Sequence, residues 1–231
     1  MPTTHDCLAE SVKVLDAMLE SVSKKHITIP EDSFKDLTGI ILLSSKKGAV
    51  GVGFETGTGV AIPIGTNIDF SFAVKSPVPL KLSKVTVGVQ LGFNTIYTIM
   101  LFKKEKQLIE LVASPTTIIG TDLNVNALIP YQKASSTAVN IGAAGGTLYG
   151  EGQPPDLDCP VKVLSVSDSY MLTDFSLYGG GLSVDTDLLE EMYGKKAEPD
   201  VVLDGHSVPT PEAYQQQMAS ILASLNKLAG K

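Results

Sequence analysis

The chain has 231 residues, of which 43% are hydrophobic and 19% are charged. This composition excludes a largely disordered chain and allows one sizeable hydrophobic core. The net charge is −7 and all 18 basic residues are lysines, which argues against nucleic acid as the main partner. Two cysteines are too few for a disulfide framework, and residues 1–6 carry no basic or apolar export signal. We therefore expect a cytoplasmic protein.

The first predicted element is an amphipathic helix over residues 5–23. Its apolar residues recur at spacings of three and four and form one stripe: Leu8, Val12, Leu15, Leu19 and Val22. Thr4 or Asp6 can cap it. Residues 1–23 hold four acidic residues and one lysine, so an anionic membrane would repel this helix. We expect the stripe to pack on the core. A short second helix, opened by Pro30, follows.

A glycine-rich β region is predicted from Gly39 onward. The apolar run 40–43 predicts a buried strand, and the polar residues 44–48 predict a turn. Seven glycines lie between residues 39 and 65 and favour strands with bulges. Alternating apolar residues predict further strands around residues 68–72, 85–89 and 95–102.

The second half of the chain is predicted to hold further strands before a terminal helix. The predicted elements are a short helix at 105–113, strands at 118–127 and 131–141, a loop at 142–160, a strand pair at 161–167 and 169–178, and a break at 179–181. The last helix spans 211–229, with Thr210 as its cap and Pro211 in its first position. We predict one α+β domain over residues 1–231, with an antiparallel β-rich core at about 39–194 between two amphipathic helices.

No catalytic or cofactor motif stands out. The glycines at 51, 53 and 57 are spaced somewhat like a dinucleotide loop, but no helix follows to receive a pyrophosphate. A pair of Cys159 and His206 stays open as a nucleophile and base, although a solvated histidine is favoured. The acids at 185, 187, 190 and 191 form either a divalent cation site or, as we favour, a solvated acidic face. We predict no catalytic residue, no metal and no cofactor.

Lysines concentrate in one stretch of this acidic chain. Between residues 75 and 106, Glu105 is the only acid that opposes them: Lys75, Lys81, Lys84, Lys103, Lys104 and Lys106. If the ends of this stretch meet, they form a positive patch for a phosphoinositide head group or an acidic protein surface. The alternative is that these lysines are scattered and only aid solubility. Residues 151–212, with three lysines and 13 acids, would oppose an acidic partner.

Short motifs along most of the chain, from about residue 27 to 228, keep the order and spacing of a known family. They are Ile29-Pro30, Leu37–Ile41, Gly51–Gly53, Gly88–Gly92, Ile99–Phe102, Thr121–Ala127, Ser176–Gly179, Tyr193-Gly194 and Val208–Ala213. In these segments the chain resembles the SYLF family, and we identify it as a divergent member. It departs from the family pattern after Ala127, where the usual glycine and arginine are missing, and at Tyr97, where an Asp is usual.

The resemblance implies a non-enzymatic module that binds anionic phospholipid, in particular phosphoinositide membranes, as a peripheral membrane or cytoskeletal scaffold. The lysine cluster is the expected contact with lipid. One alternative is a regulator that binds actin filaments or actin-regulatory proteins. Another is a small-molecule-binding or enzymatic protein without a recognisable motif.

Overall fold

The structure is a computed structural model. It describes residues 3–25, 27–29, 31–113, 116–125, 131–139, 148–149, 161–169, 173–194, 197–204 and 208–231. The helices in this part are α1 (Thr4–Ser23), α2 (Glu105–Ala113), α3 (Thr186–Tyr193), α4 (Pro199–Asp204) and α5 (Gln215–Leu228), with 3₁₀ turns at Glu31–Phe34 and Glu212–Tyr214. The strands are β1 (Gly39–Thr66), β2 (Phe72–Val74), β3 (Val78–Phe102), β4 (Thr116–Val125), β5 (Tyr131–Val139), β6 (Leu148–Tyr149), β7 (Val161–Ser169) and β8 (Thr173–Val184).

The predicted α+β architecture is confirmed: the strands of an antiparallel sheet are flanked in chain order by an N-terminal and a C-terminal helix. The two longest strands, β1 and β3, pair from Gly39 opposite Phe102 to Ala61 opposite Val78. Their register shifts once, at a bulge where Gly51 takes a φ of 74°. The prediction of bulged, glycine-rich strands is therefore confirmed.

The prediction of a turn at residues 44–48 is wrong, because β1 continues straight through this polar segment. Ser44 donates a hydrogen bond to Glu10 on α1, and Ser45 donates one to Glu55 further along the same strand. Their partners are distant in sequence, so the polar composition that indicates a turn here serves tertiary hydrogen bonds.

The long ribbon of β1 and β3 folds back on itself. A Cβ atom built at Gly59 would lie 1.9 Å from the carbonyl oxygen of Leu42, so these two stretches of β1 are in direct backbone contact. Leu42 and Ile62 accordingly belong to the same hydrophobic cluster, although 20 residues separate them. Only glycine permits this approach.

The strands β7 and β8 are predicted as a pair, and this is wrong. They share one edge of β3 instead: β8 pairs with residues 80–91 of β3, and β7 pairs with residues 94–101. The other edge of β3 is occupied by β1. The 25-residue length of β3 is what makes room for two partners in line.

The predicted break at residues 179–181 is also wrong, since β8 runs through all three glycines. A Cβ atom at Gly180 would lie 2.1 Å from the backbone oxygen of Ser83 on β3. The glycine therefore allows close contact between strands rather than ending one.

Two hydrophobic clusters lie on opposite faces of the sheet, one on each side of the first residues of β1. Ile40 and Leu42 lie in the cluster with α1 and α5, and Ile41 and Leu43 lie in the cluster with α2 and α4. The apolar run 40–43 is thus a strand buried on both faces, as predicted.

Helix α1 packs on the core, as predicted, but through a different stripe. The buried side chains are Thr4, Cys7, Leu8, Ser11, Val14, Leu15, Met18 and Ser21, whereas the predicted Val22 is exposed. Ser11 sits on the buried side because its hydroxyl donates to the carbonyl oxygen of Cys7. The N-cap is Thr3, in a capping box with Asp6, rather than Thr4 or Asp6.

Two further corrections concern residues 68–72 and the last helix. Ile68 and Phe70 lie in the turn between β1 and β2, where Ile68 is fully exposed and Phe70 has a φ of 64°, so no strand forms there. Thr210 does not cap the C-terminal helix but donates to the hydroxyl of Ser76. That helix begins instead with the 3₁₀ turn that follows Pro211.

Most of the remaining predictions agree with the structure or fall outside it. The short helices after Pro30 and at 105–113 are present, as are the strands near 118–127 and 131–141. The predicted loop 142–160 lies outside the described residues except for Leu148–Tyr149, where the prediction is wrong because these residues form strand β6 and pair with β4. None of the helices among the described residues has both the length and the apolar character to cross a membrane.

Candidate functional site

Four of the six predicted lysines lie around the start of α2. Lys103 and Lys104 connect β3 to the helix, Lys106 lies in its first turn, and all three are exposed. Lys75 reaches the same place from the segment after β2, with its Nζ 3.7 Å from Glu105 Oε1. We call Lys75, Lys103, Lys104 and Lys106 the lysine surface.

The other two predicted lysines lie elsewhere on β3. Lys81 and Lys84 are three residues apart, so their side chains leave opposite faces of the strand. Lys81 is exposed, whereas the Nζ of Lys84 is 2.9 Å from Glu55 Oε2, in an ion pair where both side chains are largely buried. Lys84 is therefore engaged inside the fold.

The contacts of the lysine surface leave Lys103, Lys104 and Lys106 exposed, whereas Lys75 is partly buried. Lys103 donates to the backbone oxygen of Asp32 at 3.2 Å, and Lys75 donates to that of Asp204 at 3.5 Å. Lys106 pairs with Glu110 at 3.2 Å, with its own side chain 82% exposed. Exposed pairs of this kind contribute only about 0–1 kcal/mol, so an anionic partner can compete with them.

The position of α2 adds to the positive potential and fixes it in space. The N-terminus of a helix carries a partial positive charge, and here it lies beside Lys103 and Lys104. The opposite side of the helix is anchored by Leu108 and Leu111, which are buried in the cluster with β1 and β3. The lysine surface is therefore displayed from a rigid element.

A second surface was missed by sequence reasoning. Nine large apolar side chains, 43–79% exposed, project from the folded ribbon and from the neighbouring strand β8: Val50, Val52, Phe54, Val85, Val87, Val89, Leu91, Phe93 and Leu177. They share one face, because Val52 pairs with Val87, Phe54 with Val85, and Leu177 with Val87. We call this the outer face of the ribbon.

The inner face of the same ribbon is polar and buried. It carries Ser45, Lys47, Glu55, Thr86 and Gln90, each at most 5% exposed. Ser45 donates to Glu55, Thr86 donates to Gln90, and Gln90 donates to the backbone oxygen of Gly51. The alternation of apolar and polar residues is readable in the sequence, but which side is buried depends on how the ribbon folds.

Two of the acidic residues near α3 have structural partners. Asp185 caps α3 by accepting a hydrogen bond from the amide of Leu188, and Glu191 accepts one from the amide of Thr4. Among the described residues, no three His, Cys, Asp or Glu side chains are grouped so as to hold a metal ion. Cys159 and His206 lie outside the described residues.

The other cysteine is held inside the fold. Cys7 is fully buried and its Sγ donates to the carbonyl oxygen of Gly59 at 3.1 Å. Burial raises the pKa of its thiol to about 11, so the reactive thiolate is scarce at neutral pH. Cys7 therefore ties α1 to the returning half of β1.

These features define an α+β protein built on an antiparallel sheet, with a positive surface at one helix N-terminus. A family model described as "Ysc84: Las17-binding protein actin regulator" matches residues 83–225, more than half of the chain. The chain belongs to this family, and the predicted resemblance to the SYLF type is confirmed. No curated protein and no solved structure matches the chain.

Proposed function

We propose that the protein is an actin-regulating module that works by binding rather than by catalysis, in the cytoplasm. The observation that carries this proposal is the family match, because that family is described by the binding of Las17 and by actin regulation. The lysine surface supplies a positive contact of the kind that acidic protein surfaces, such as that of actin, require. This binding role is the alternative that the sequence left open beside lipid.

Sedimentation with actin filaments tests the proposal. The full chain should pellet with filaments at low salt, and less at physiological salt, because exposed charges are screened over about 8 Å there. Replacement of Lys103, Lys104 and Lys106 by glutamate should remove this binding. A control with Lys24, Lys25 and Lys227 replaced by glutamate makes the same change in net charge at exposed lysines elsewhere.

Two results would contradict the actin proposal. The first is that the chain fails to sediment with filaments at any salt concentration. The second is that it does not change filament assembly in the presence of a Las17-type partner. If the variant with glutamate at 103, 104 and 106 and the control variant bind filaments equally well, the chain binds actin through a surface other than the lysine surface.

A second candidate function is the binding of anionic phospholipid at the membrane periphery. Its support is the placement of Lys75, Lys103 and Lys104 beside the N-terminus of α2, where a helix dipole and several lysines favour a phosphate group. Lys81 lies apart on β3 and Lys84 is paired with Glu55, so we assign the phosphate contact to the lysine surface alone.

Vesicle sedimentation separates the two candidates. Phosphatidylcholine vesicles with a phosphoinositide should bind the chain at low salt, and vesicles of phosphatidylcholine alone should not. Each lysine near an anionic surface contributes about 1 kcal/mol, so the three glutamates at 103, 104 and 106 should weaken binding about a hundredfold or more. Binding to filaments without binding to these vesicles would refute the lipid function and leave the actin proposal standing.

A further inference from the structure

The outer face of the ribbon is too large and too apolar for the surface of a typical monomer. Its nine side chains expose on the order of 900 Å² of apolar surface, compared with about 300–600 Å² for the largest patch of most monomers. Apolar patches above that size mark sites that another surface covers.

The face is continuous across three strands. Val52 on β1, Val87 on β3 and Leu177 on β8 lie side by side in register, and Phe54 and Val85 form the next row. Beyond the bulge, Val50 is opposite Leu91. Directly paired side chains on one face of an antiparallel sheet are about 5 Å apart, so the nine residues form one patch.

The charged residues on this face lie at its margins. Lys46, opposite Thr95, marks one end of the apolar stretch, and Lys81, opposite Thr58, marks the other. Between them the described positions carry apolar residues, glycine, serine or threonine. The apolar side chains are five valines, two phenylalanines and two leucines. This is the composition of the buried face of a strand in a β-sandwich.

We propose that a second copy of this chain covers the outer face, so that the protein is a dimer built by packing sheet on sheet. An apolar face can match itself about a two-fold axis without any charge complementarity. The available area, on the order of 900 Å² per copy, is close to the roughly 800 Å² per partner of a standard stable interface. Sheets that pack in this way lie about 10 Å apart with strands crossing at about 30°.

The composition favours a protein partner over a bilayer. Tyrosine and tryptophan mark surfaces that sit at the membrane interface, and neither is among the nine side chains. The dimer does not depend on the proposed function. It would, however, present two lysine surfaces on one particle, which is what linking two filaments requires.

Sedimentation velocity between about 1 and 100 μM tests the proposal. The full chain should sediment at twice its 24.4 kDa mass, and this mass should persist when salt is raised, since apolar contacts are not screened. Val87→Lys places a charge at the centre of the face in both copies and should raise the dissociation constant about a hundredfold or more. Ile68→Lys, at a fully exposed apolar residue in the turn before β2, should leave the dimer unchanged.

The thermal unfolding of each variant, measured in parallel, shows that it is folded. If Val87→Lys does not fold, Val89→Lys is used in its place. A chain that stays monomeric to 100 μM would overturn the proposal. So would a dimer that Val87→Lys and Val89→Lys leave intact, because its interface would lie elsewhere. A monomer that binds phosphatidylcholine vesicles, and loses this binding with Val87→Lys, would also overturn it and assign the face to lipid.

Discussion

The carboxylate of Glu55 and the ammonium of Lys84 meet at 2.9 Å between the two longest strands, with Glu55 only 3% exposed. The two residues are directly paired across β1 and β3. Ser45, from the part of β1 that folds back, donates a hydrogen bond to the other oxygen of the same carboxylate. One carboxylate therefore joins three stretches of the ribbon.

The buried pair should be sensitive to the loss of one partner. Glu55→Gln removes the carboxylate that pairs with Lys84 on the inner face and should lower the free energy of unfolding by about 3 kcal/mol, as measured by urea denaturation. Glu20→Gln breaks the exposed pair with Lys24 and should cost less than about 0.5 kcal/mol. Equal effects of the two variants would show that the buried pair does not hold the ribbon together.

Two adjacent glycines on β8 should differ sharply in their tolerance of a methyl group. Gly180→Ala would place its Cβ 2.1 Å from the backbone oxygen of Ser83, so the strands must separate. A Cβ at Gly179 meets nothing within 4 Å. We expect Gly180→Ala to cost at least about 2 kcal/mol in thermal or urea unfolding and Gly179→Ala to be close to neutral. Similar losses at both positions would mean that strand propensity, and not contact, sets the cost.

The helices were predictable because their signals are local. The spacing of apolar residues places α1 and α5 within a few residues of their observed ends. The predicted stripe of α1 missed Val14 and Met18, which are apolar and buried, as well as Ser11 and Ser21, which no hydropathy pattern marks. The residue types along each segment, and not contacts between distant parts of the chain, therefore set where these helices begin and end.

The course of the long strands was not predictable, because its causes are distant in sequence. Residues 44–48 have the composition of a turn, but their hydroxyls bond to Glu10 and Glu55. The outer face was missed for a related reason. Alternation at 85–93 shows that two faces differ, but it is the folding back of β1 at Gly59 that turns the polar one inward. Of the six predicted lysines, the structure brings four together around α2.

We expect the thiol of Cys7 to be unreactive in the folded chain. We also expect it to make the free energy of unfolding depend on pH in the alkaline range. Its pKa is raised by burial from 9.0 to about 11, so the folded state keeps a proton that the unfolded state loses. Its contribution to stability is therefore fully present below pH 9 and is lost as the pH rises from 9 to 11. The measurement is urea unfolding at intervals across this range, with Cys7→Ala as the control that lacks the titrating group.

Reaction with a thiol reagent gives an independent check on the same residue. In a Cys159→Ser background, Cys7 should react at pH 8 only after the chain is unfolded. Ser23→Cys in that background, at an exposed position of the same helix, should react at once. Rapid labelling of native Cys7 would show that α1 separates readily from β1.

The family match begins at residue 83, inside β3, but we predict that a chain starting there does not fold. Such a chain keeps α5 and loses α1, which packs against it, and it loses β1, which pairs with β3 from Gly39 to Ala61. Far-UV circular dichroism should show no cooperative thermal transition for residues 83–231. The full chain cut between Ile68 and Asp69, in an exposed turn outside the strands, should keep its transition when both pieces are present. Cooperative unfolding of the 83–231 fragment would mean that the folding unit is smaller than the single domain predicted over residues 1–231.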